Sequence, residues 1–287
     1  MDDVRCPACG EQSSASQTYV FKSARGQTPW VRCSRCSAYF LIERYDFNVE
    51  VVHTKKAAWG REDSGTELNM FKQRMFRSVI NLLRPSCPPP ASLLDVGCSY
   101  GGFLLEAQKA GYRVCGFDIV PSAIEYVSSQ SIPAEIAFSI GDLKRIPDGS
   151  LDVITCLDAN YYWPDQRAEL RHAHAKLKRG GFLAMRVVDK SWMFSLGLLL
   201  RGVSKKSGEK MLRSAVNDHR FSMPLSSLLK VIRDNGFEVT YASPRGALHS
   251  DQTRLPVKLS FALGTALWSI GAGMFAPGAL ILARKSS

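Results

Sequence analysis

The stretch LLDVGCSYGGF, residues 93–103, has the pattern of a strand that ends in a glycine turn and leads into a helix. An apolar run reaches Asp95, and Gly97 and Gly101 follow where the backbone must turn sharply and approach a ligand. The GxGxxG pattern of dinucleotide sites is not matched, because Ser99 stands where its second glycine would be. The stretch therefore predicts a ligand-binding turn at the carboxyl end of a strand.

Around this turn the sequence alternates between short apolar runs and amphipathic runs. The strand-like segments RVCGFDI, LDVITCLD and GGFLAMRVVD are separated by helix-like segments such as SAIEYVSSQ and AELRHAHAKLK. Such alternation predicts an α/β protein with a parallel sheet covered by helices on both faces. The first of these strands ends in Asp118, whose carboxylate is placed to accept hydrogen bonds from both hydroxyls of a ribose.

Four cysteines near the amino terminus form two CxxC pairs. Cys6 and Cys9 are separated by 23 residues from Cys33 and Cys36. Each pair fits a tight turn, and the intervening chain is long enough for a hairpin that brings the two turns together. Four thiolates with no open position predict a structural zinc ion. Thiols unrelated to a metal remain an alternative, as does a redox pair, although no thioredoxin-like pattern surrounds either CxxC.

Several motifs in succession resemble the class I S-adenosylmethionine-dependent methyltransferases. The similarity covers about residues 92–241 plus the last strand, and it rests on DVGCSYG at 95–101, DI at 118–119, GDL at 141–143, LD at 157–158 and KRGGFL at 178–183. The resemblance implies a Rossmann-like, seven-stranded, mostly parallel sheet with helices on both faces. It also implies that S-adenosylmethionine is held by residues of these motifs: Asp95, Gly97, Cys98, Gly101, Asp118, Ile119, Asp142, Leu143, Leu157 and Asp158.

The cysteine pattern and the core together resemble a bacterial subgroup in which a CPxCG zinc ribbon precedes the methyltransferase. Many members of this subgroup act in sugar, polysaccharide or secondary-metabolite pathways, and the similarity extends to NDHRFSMPLSSLLKVIRDNGFEV at 217–239. Composition divides the chain into a zinc ribbon (1–45), a helical connector with a proline-rich hinge (46–90), the cofactor-binding core (91–190) and acceptor-side helices with the last two strands (191–287).

Candidate catalytic residues follow the fourth and fifth strands, because an open parallel sheet binds ligands beyond the carboxyl ends of its strands. His219, beside Asp218, is the preferred base, since an imidazole titrates near neutrality and this position matches the subgroup's DH. Tyr161 and Tyr162 replace the Glu-His pair of many related enzymes and are expected to form an aromatic wall for the acceptor. The alternatives are that His219 only hydrogen-bonds the start of the next helix and that the aromatic segment serves the fold through the packing of Trp163.

These features predict a methyltransferase that acts on a hydroxyl of a small-molecule, sugar or lipid-linked acceptor. The segment after the fourth strand lacks the Asn/Asp-Pro-Pro-Tyr motif of many enzymes that methylate base amines, which favours oxygen. An RNA methyltransferase is one alternative, because zinc ribbons with basic surfaces occur in rRNA methyltransferases. A module that binds S-adenosylmethionine without catalysis is another. The ribbon carries little net charge, so nucleic acid is the less favoured partner.

The net charge of +11 is concentrated in the last third of the chain. Residues 191–287 carry 13 Lys or Arg against 5 Asp or Glu, whereas residues 91–190 carry 11 against 12. The apolar run WMFSLGLLL at 192–200 leads directly into a basic cluster, a combination that suits an anionic membrane surface. Peripheral membrane contact through 192–213 and 257–276 is therefore one hypothesis, and an acceptor lid with a solvated charged face is the other.

The uncharged stretch 259–283 is long enough to span a bilayer, but glycines and Pro277 interrupt it. We expect a helix followed by a strand from Gly278, because GALILARK resembles the seventh, antiparallel strand of the methyltransferase sheet. The amino terminus begins with acids and has no apolar segment ahead of the cysteines, unlike a signal peptide. A cytoplasmic protein with peripheral contact at the inner membrane face is the resulting expectation.

Overall fold

The computed structural model describes residues 4–13, 18–23, 26–42, 68, 70–216, 219–244, 255–270 and 278–286. The strands within these ranges are β1 (Val4–Arg5), β2 (Gln12–Ser13), β3 (Thr18–Ser23), β4 (Gly26–Arg32), β5 (Tyr39–Leu41), β6 (Ser92–Val96), β7 (Arg113–Asp118), β8 (Ala134–Ile136), β9 (Leu151–Leu157), β10 (Leu177–Val188), β11 (Phe221–Ser222), β12 (Phe237–Ser243) and β13 (Gly278–Lys285). The helices are α1 (Met70–Leu83), α2 (Gly102–Lys109), α3 (Pro121–Ser129), α4 (Gln166–Lys176), α5 (Ser191–Val203), α6 (Lys205–Val216), α7 (Leu225–Asp234) and α8 (Leu255–Ser269).

A seven-stranded sheet of order β12-β13-β10-β9-β6-β7-β8 forms the centre of the fold. The pairs from β10 through β8 are parallel, and β13 runs antiparallel to both of its neighbours. This arrangement confirms the predicted Rossmann-like sheet, including an antiparallel last strand that begins at Gly278. The order reverses between β6 and β9, and this is where open α/β sheets bind their ligands.

Successive residues of the central strands bury their side chains on opposite faces of the sheet. Leu93 and Val153 pack with α1, α2 and α3 on one face, while Leu94 and Ile154 pack with α4 and α7 on the other. Side chains alternate along a strand, so a strand covered on both sides needs a continuous apolar run, which GFLAM at 181–185 supplies. Both faces are therefore closed to water except at the strand ends.

A smaller sheet of order β11-β5-β4-β3 joins the amino-terminal segment to the region after α6. Its strands are antiparallel, and β11 pairs with β5 through Phe221 opposite Phe40 and Ser222 opposite Tyr39. Next to it, β1 and β2 form a two-stranded hairpin. The cysteine-rich segment and the acceptor-side segment thus share one sheet.

Helices α5 and α6 form a tight antiparallel pair joined by one residue, and we call this pair the α5–α6 hairpin. Farther along the chain, α8 ends at Ser269 and β13 follows from Gly278, as expected from the glycines of this stretch. Among the helices the structure describes, none is long and apolar enough to cross a membrane.

Candidate active site

The predicted glycine turn joins β6 to α2. Gly97 and Gly101 both have a φ of +69°, in the left-handed region that favours glycine. A Cβ on Gly97 would lie 2.8 Å from the Cβ of Ala159, and one on Gly101 would lie 2.8 Å from Cγ2 of Val127. Cys98, between them, is buried, and its amide donates a 2.9 Å hydrogen bond to the backbone of β7. The turn is closely packed and anchored to the neighbouring strand.

The carboxylate of Asp118 stands at the end of β7 beside this turn. Its Oδ2 accepts a hydrogen bond of 2.8 Å from the Ser99 amide, and its Oδ1 accepts one of 3.0 Å from the Val120 amide. An ionised carboxylate has about four lone-pair sites, so acceptor capacity remains after these two bonds. Ile119, the next residue, has 38% of its surface exposed and offers an apolar contact at the same edge.

The segment after β8 is held in place by two acidic side chains. Oδ2 of Asp142 accepts hydrogen bonds from the amides of Phe138 and Ser139 at 3.3 and 3.1 Å. Glu169, from α4, accepts 2.5 Å and 3.0 Å bonds from the Ser139 hydroxyl and the next amide. Leu143 is completely buried. This segment, predicted to contact the cofactor, therefore has a fixed conformation.

Asp95 lies within β6 and is almost fully buried. The Thr155 hydroxyl donates a 2.6 Å hydrogen bond to its Oδ1. Burial raises the pKa of Asp95 to about 7, against the lowering effect of the Thr155 bond. Leu157, at the end of β9, is half-buried. The Asp95–Thr155 hydrogen bond joins β6 to β9 next to the glycine turn, and Leu157 ends β9 at the same edge of the sheet.

A buried ion pair that the sequence analysis missed lies at the ends of β9 and β10. Asp158, in a left-handed conformation with φ of +61°, forms a salt bridge with Nη1 of Arg186, which is only 1% exposed. Lys72 of α1 comes close to this pair: burial lowers its pKa, the Asp158 charge raises it and the Arg186 charge lowers it. A charged residue inside the apolar run FLAMRVV was the available sequence signal for Arg186.

Three of the predicted catalytic residues are brought together, and the fourth, Asp218, lies outside the described residues. The Tyr161 ring contacts the His219 ring edge to face, with centroids 3.9 Å apart, and it lies 4.6 Å from the Tyr162 ring. His219 is 6% exposed and Tyr162 is 47% exposed. Burial and the nearby Asp158 charge raise the pKa of Tyr161 well above its usual range, so its hydroxyl stays protonated.

A narrow recess with a cavity volume of about 10 Å³ lies beside Tyr161, and its lining includes Asn160, Val188, Asp189, Ser222 and Met223. Asp189, which follows β10, is 2% exposed and accepts hydrogen bonds from the Ser191 amide (2.7 Å), the Ser191 hydroxyl (2.5 Å) and the Leu225 amide (3.2 Å). It therefore caps the starts of α5 and α7 at once. Burial raises the pKa of Asp189 to about 7.

The four amino-terminal cysteines converge as their spacing predicts. Sγ of Cys6 lies 3.6 Å from Sγ of Cys36, Sγ of Cys9 lies 3.5 Å from Sγ of Cys33, and all four sulfurs lie within 4.8 Å of one another. Tetrahedral zinc with Zn–S bonds of about 2.3 Å needs sulfurs about 3.8 Å apart. The cluster therefore fits a zinc ribbon. The Arg167 side chain of α4 donates to the Cys9 carbonyl at 3.4 Å and joins the ribbon to the core.

Comparison with known proteins points to one family. A family model described as "Methyltransferase domain" matches residues 68–242. The ubiquinone biosynthesis O-methyltransferase of Xanthomonas campestris is 31% identical over 109 residues, which is 36% of this chain and 45% of that protein. The 2-methyl-6-phytyl-1,4-hydroquinone methyltransferase of Synechocystis is 31% identical over 102 residues, which is 34% of this chain and 32% of that protein. The match thus spans less than half the length of either relative.

Among solved structures, a Galdieria sulphuraria protein proposed to be a sarcosine dimethylglycine methyltransferase superposes with a TM-score of 0.50. It is 18% identical, and the match covers 80% of this chain and 96% of that chain, so the likeness concerns the fold. The family match includes the glycine turn, Asp118, the ion pair and the recess, and it extends over more than half of the chain. The chain therefore belongs to the Methyltransferase domain family of S-adenosylmethionine-dependent enzymes.

Proposed function

We propose that this methyltransferase methylates a hydroxyl oxygen of a small-molecule acceptor, and that a lipid-linked hydroxyl is the favoured class. The observation that carries the proposal is the contact between His219 and Tyr161, with ring centroids 3.9 Å apart, beside the recess beyond β9 and β10. The contact supports His219 as a candidate base, because acceptors are expected at this edge of an open parallel sheet.

The motif residues would hold S-adenosylmethionine at the neighbouring sheet edge. Asp118 keeps two backbone amides on its carboxylate and has acceptor capacity left for ribose hydroxyls. Ile119 and Asp142 would flank the adenine, and Gly97 and Gly101 would let the backbone approach the cofactor. When bound, the cofactor supplies a methyl group attached to a sulfonium sulfur, and the neutral thioether that remains after transfer is a good leaving group. We likewise propose that the four ribbon cysteines bind a structural zinc ion.

The chain's own contribution would be alignment, exclusion of water and removal of one proton. The acceptor oxygen forms a bond to the methyl carbon as the carbon–sulfur bond breaks, and the electron pair of that bond stays on sulfur. In our proposal the hydroxyl proton passes to the His219 imidazole. Tyr161, held protonated by burial, would orient that imidazole, and the more exposed Tyr162 would form the outer wall.

The acceptor class is supported by the names of two relatives. One is a ubiquinone biosynthesis O-methyltransferase and the other a 2-methyl-6-phytyl-1,4-hydroquinone methyltransferase. Hydroquinones with an apolar tail are therefore among the acceptors that we propose to test. The basic segment after β10 adds support for an acceptor presented at a membrane surface. We accordingly propose that the enzyme works in the cytoplasm with peripheral contact at the inner membrane face.

The experiment is an acceptor screen with the full chain and S-adenosylmethionine. Hydroquinones with and without isoprenoid tails, polyprenyl-linked sugars, free sugars and a structured RNA are each incubated, and mass spectrometry detects transfer of one methyl group. We expect transfer to a lipid-linked hydroxyl. Transfer only to RNA would contradict the proposal. Cofactor binding without transfer to any acceptor would favour the binding-module alternative.

With an acceptor in hand, His219→Asn tests the base. We expect kcat to fall roughly hundredfold or more, with the Kd for the cofactor unchanged, because general-base catalysis contributes on that order. His174→Asn is the matched control, since His174 lies on α4 and packs edge to face on Phe237 at 5.4 Å. Equal kcat for His219→Asn and the control would show that His219 has only a structural role.

A further inference from the structure

Among the described residues, the α5–α6 hairpin packs on the body of the protein along the side that carries Phe194. Phe194 of α5 stacks on Tyr39 of β5 with centroids 4.3 Å apart and an interplanar angle of 7°, and it also contacts Trp30 (5.2 Å) and Phe21 (5.5 Å). Phe194 and Phe21 are completely or almost completely buried. One face of α5 therefore packs on the smaller sheet through this aromatic cluster.

The other face of α5 presents large apolar side chains to solvent. Leu196 is 38% exposed, Leu199 is 70% exposed and Val203 is 86% exposed. Their spacing of three and four residues places them in one stripe along the helix, and the stripe ends at the turn of the hairpin. The exposed fraction of these side chains rises toward that turn, so the most exposed apolar side chains of α5 lie at the tip of the hairpin.

Helix α6, which begins at this tip, carries exposed positive charge from the tip onward. Lys205, Lys206, Lys210 and Arg213 of α6 are exposed, and none of them has a salt bridge among the described residues. The one acid of the hairpin, Glu209, is 3.1 Å from Arg201 and is neutralised by it. A solvated lid would need charge but not exposed leucine and valine, whereas an anionic bilayer attracts both.

The base of the hairpin is part of the candidate active site. The amide and hydroxyl of Ser191, the first residue of α5, donate to Asp189, which lines the recess. Close packing then makes the two helices one unit: a Cβ on Gly197 would lie 2.8 Å from Cγ of Leu212, and one on Gly208 would lie 2.6 Å from the Arg201 amide nitrogen. The α5–α6 hairpin thus forms one closely packed element that runs from its exposed tip to the recess.

We propose that the α5–α6 hairpin docks the enzyme on an anionic phospholipid bilayer. Leu199 and Val203 enter the headgroup boundary, and Lys205 and Lys206 contact the lipid phosphates. The purpose of this docking, delivery of a lipid-linked acceptor to the recess, rests on the proposed function. The docking itself does not require catalysis.

The test is sedimentation of the full chain with vesicles, without cofactor or acceptor. One set contains phosphatidylcholine alone and the other equal parts of phosphatidylcholine and phosphatidylglycerol. We expect binding to the anionic set, weakened by salt, and none to the neutral set. Lys205→Gln with Lys206→Gln should weaken binding about fivefold per lysine removed. Leu199→Ser with Val203→Ser should weaken it about tenfold or more, because two buried apolar side chains are lost.

Matched controls are Val20→Ser, an exposed apolar residue of β3, and Lys230→Gln, an exposed basic residue of α7. Both should bind like the unaltered chain. No sedimentation with either vesicle set, equal binding by all variants, or binding to a structured RNA without binding to vesicles would overturn the proposal. Vesicle binding without methyl transfer in the acceptor screen would instead contradict the proposed function and leave the docking intact.

Discussion

At the level of single residues, Asp118 holds the glycine turn in shape while keeping acceptor capacity for a ligand. Its two oxygens each accept one backbone amide, from Ser99 and Val120, at 2.8 and 3.0 Å. A neutral amide side chain at this position would present an NH2 group to one of those amides. The charge and part of the acceptor capacity would then both be lost.

We therefore predict that Asp118→Asn weakens S-adenosylmethionine binding roughly tenfold to a hundredfold, since a hydrogen bond to a charged group contributes about 1.5–3 kcal/mol. Calorimetric titration measures the Kd, and thermal unfolding of the free variant shows whether the fold is retained. Asp148→Asn serves as the control, because the Asp148 side chain is 71% exposed and forms a surface ion pair with Lys176. An unchanged Kd in a folded Asp118→Asn variant would refute the ribose assignment.

At the level of elements, the α5–α6 hairpin is closely packed at Gly197 and at Gly208, and Gly197 can be compared with a second glycine of α5. Gly197 is buried against Leu212, whereas Gly202 on the same helix has open space around it and no positive φ. Substitution by alanine therefore has opposite consequences at the two positions. At Gly197 the added methyl group must push Leu212 aside, and at Gly202 it only restricts the unfolded chain.

We expect Gly197→Ala to lower the free energy of unfolding by about 1–3 kcal/mol and to loosen α6 from α5. Gly202→Ala should raise it by a few tenths of a kcal/mol to about 1 kcal/mol. Urea unfolding gives both values, and hydrogen exchange in α6 reports the local loosening. If Gly197→Ala is as stable as Gly202→Ala, the hairpin is not packed through this contact.

Local patterns predict the central sheet and much of the site. Uninterrupted apolar runs such as GFLAM at 181–185 require burial on both faces, and the glycines at 97 and 101 are needed by a turn with positive φ. The pairing of β11 with β5 joins residues some 180 positions apart, and no local period encodes it. The Asp158–Arg186 pair and the approach of Lys72 likewise depend on how strands and α1 assemble. Sequence reasoning could name Asp158 but not its partners.

At the level of the whole molecule, the cysteine cluster is connected to the candidate base through one sheet. The amide of Cys33 donates to the Ala38 carbonyl at 2.8 Å, and β5 begins with the next residue. In turn, the Leu41 amide donates to the Arg220 carbonyl at 3.0 Å, and Arg220 directly follows His219. The aromatic cluster around Phe194 attaches α5 to the same sheet. The smaller sheet thus links the cysteine cluster both to His219 and to the α5–α6 hairpin.

Removing zinc should therefore disturb the acceptor side and spare the cofactor side. We predict that a chelator, or Cys33→Ser, raises amide hydrogen exchange in 219–222 and in α5 by on the order of tenfold or more. Without the metal, the smaller sheet opens locally at a lower cost in free energy, and these amides exchange from the open state. The Kd for S-adenosylmethionine should stay unchanged, since the hydrogen-bond donors to Asp118 (Ser99 and Val120) and the side chains nearest the turn glycines (Ala159 and Val127) belong to the core and not to the ribbon. Cys87→Ser, outside the cluster, is the control. Unchanged exchange in a chain shown by mass spectrometry to have lost its zinc would mean that the ribbon folds and holds the α5–α6 hairpin without the metal.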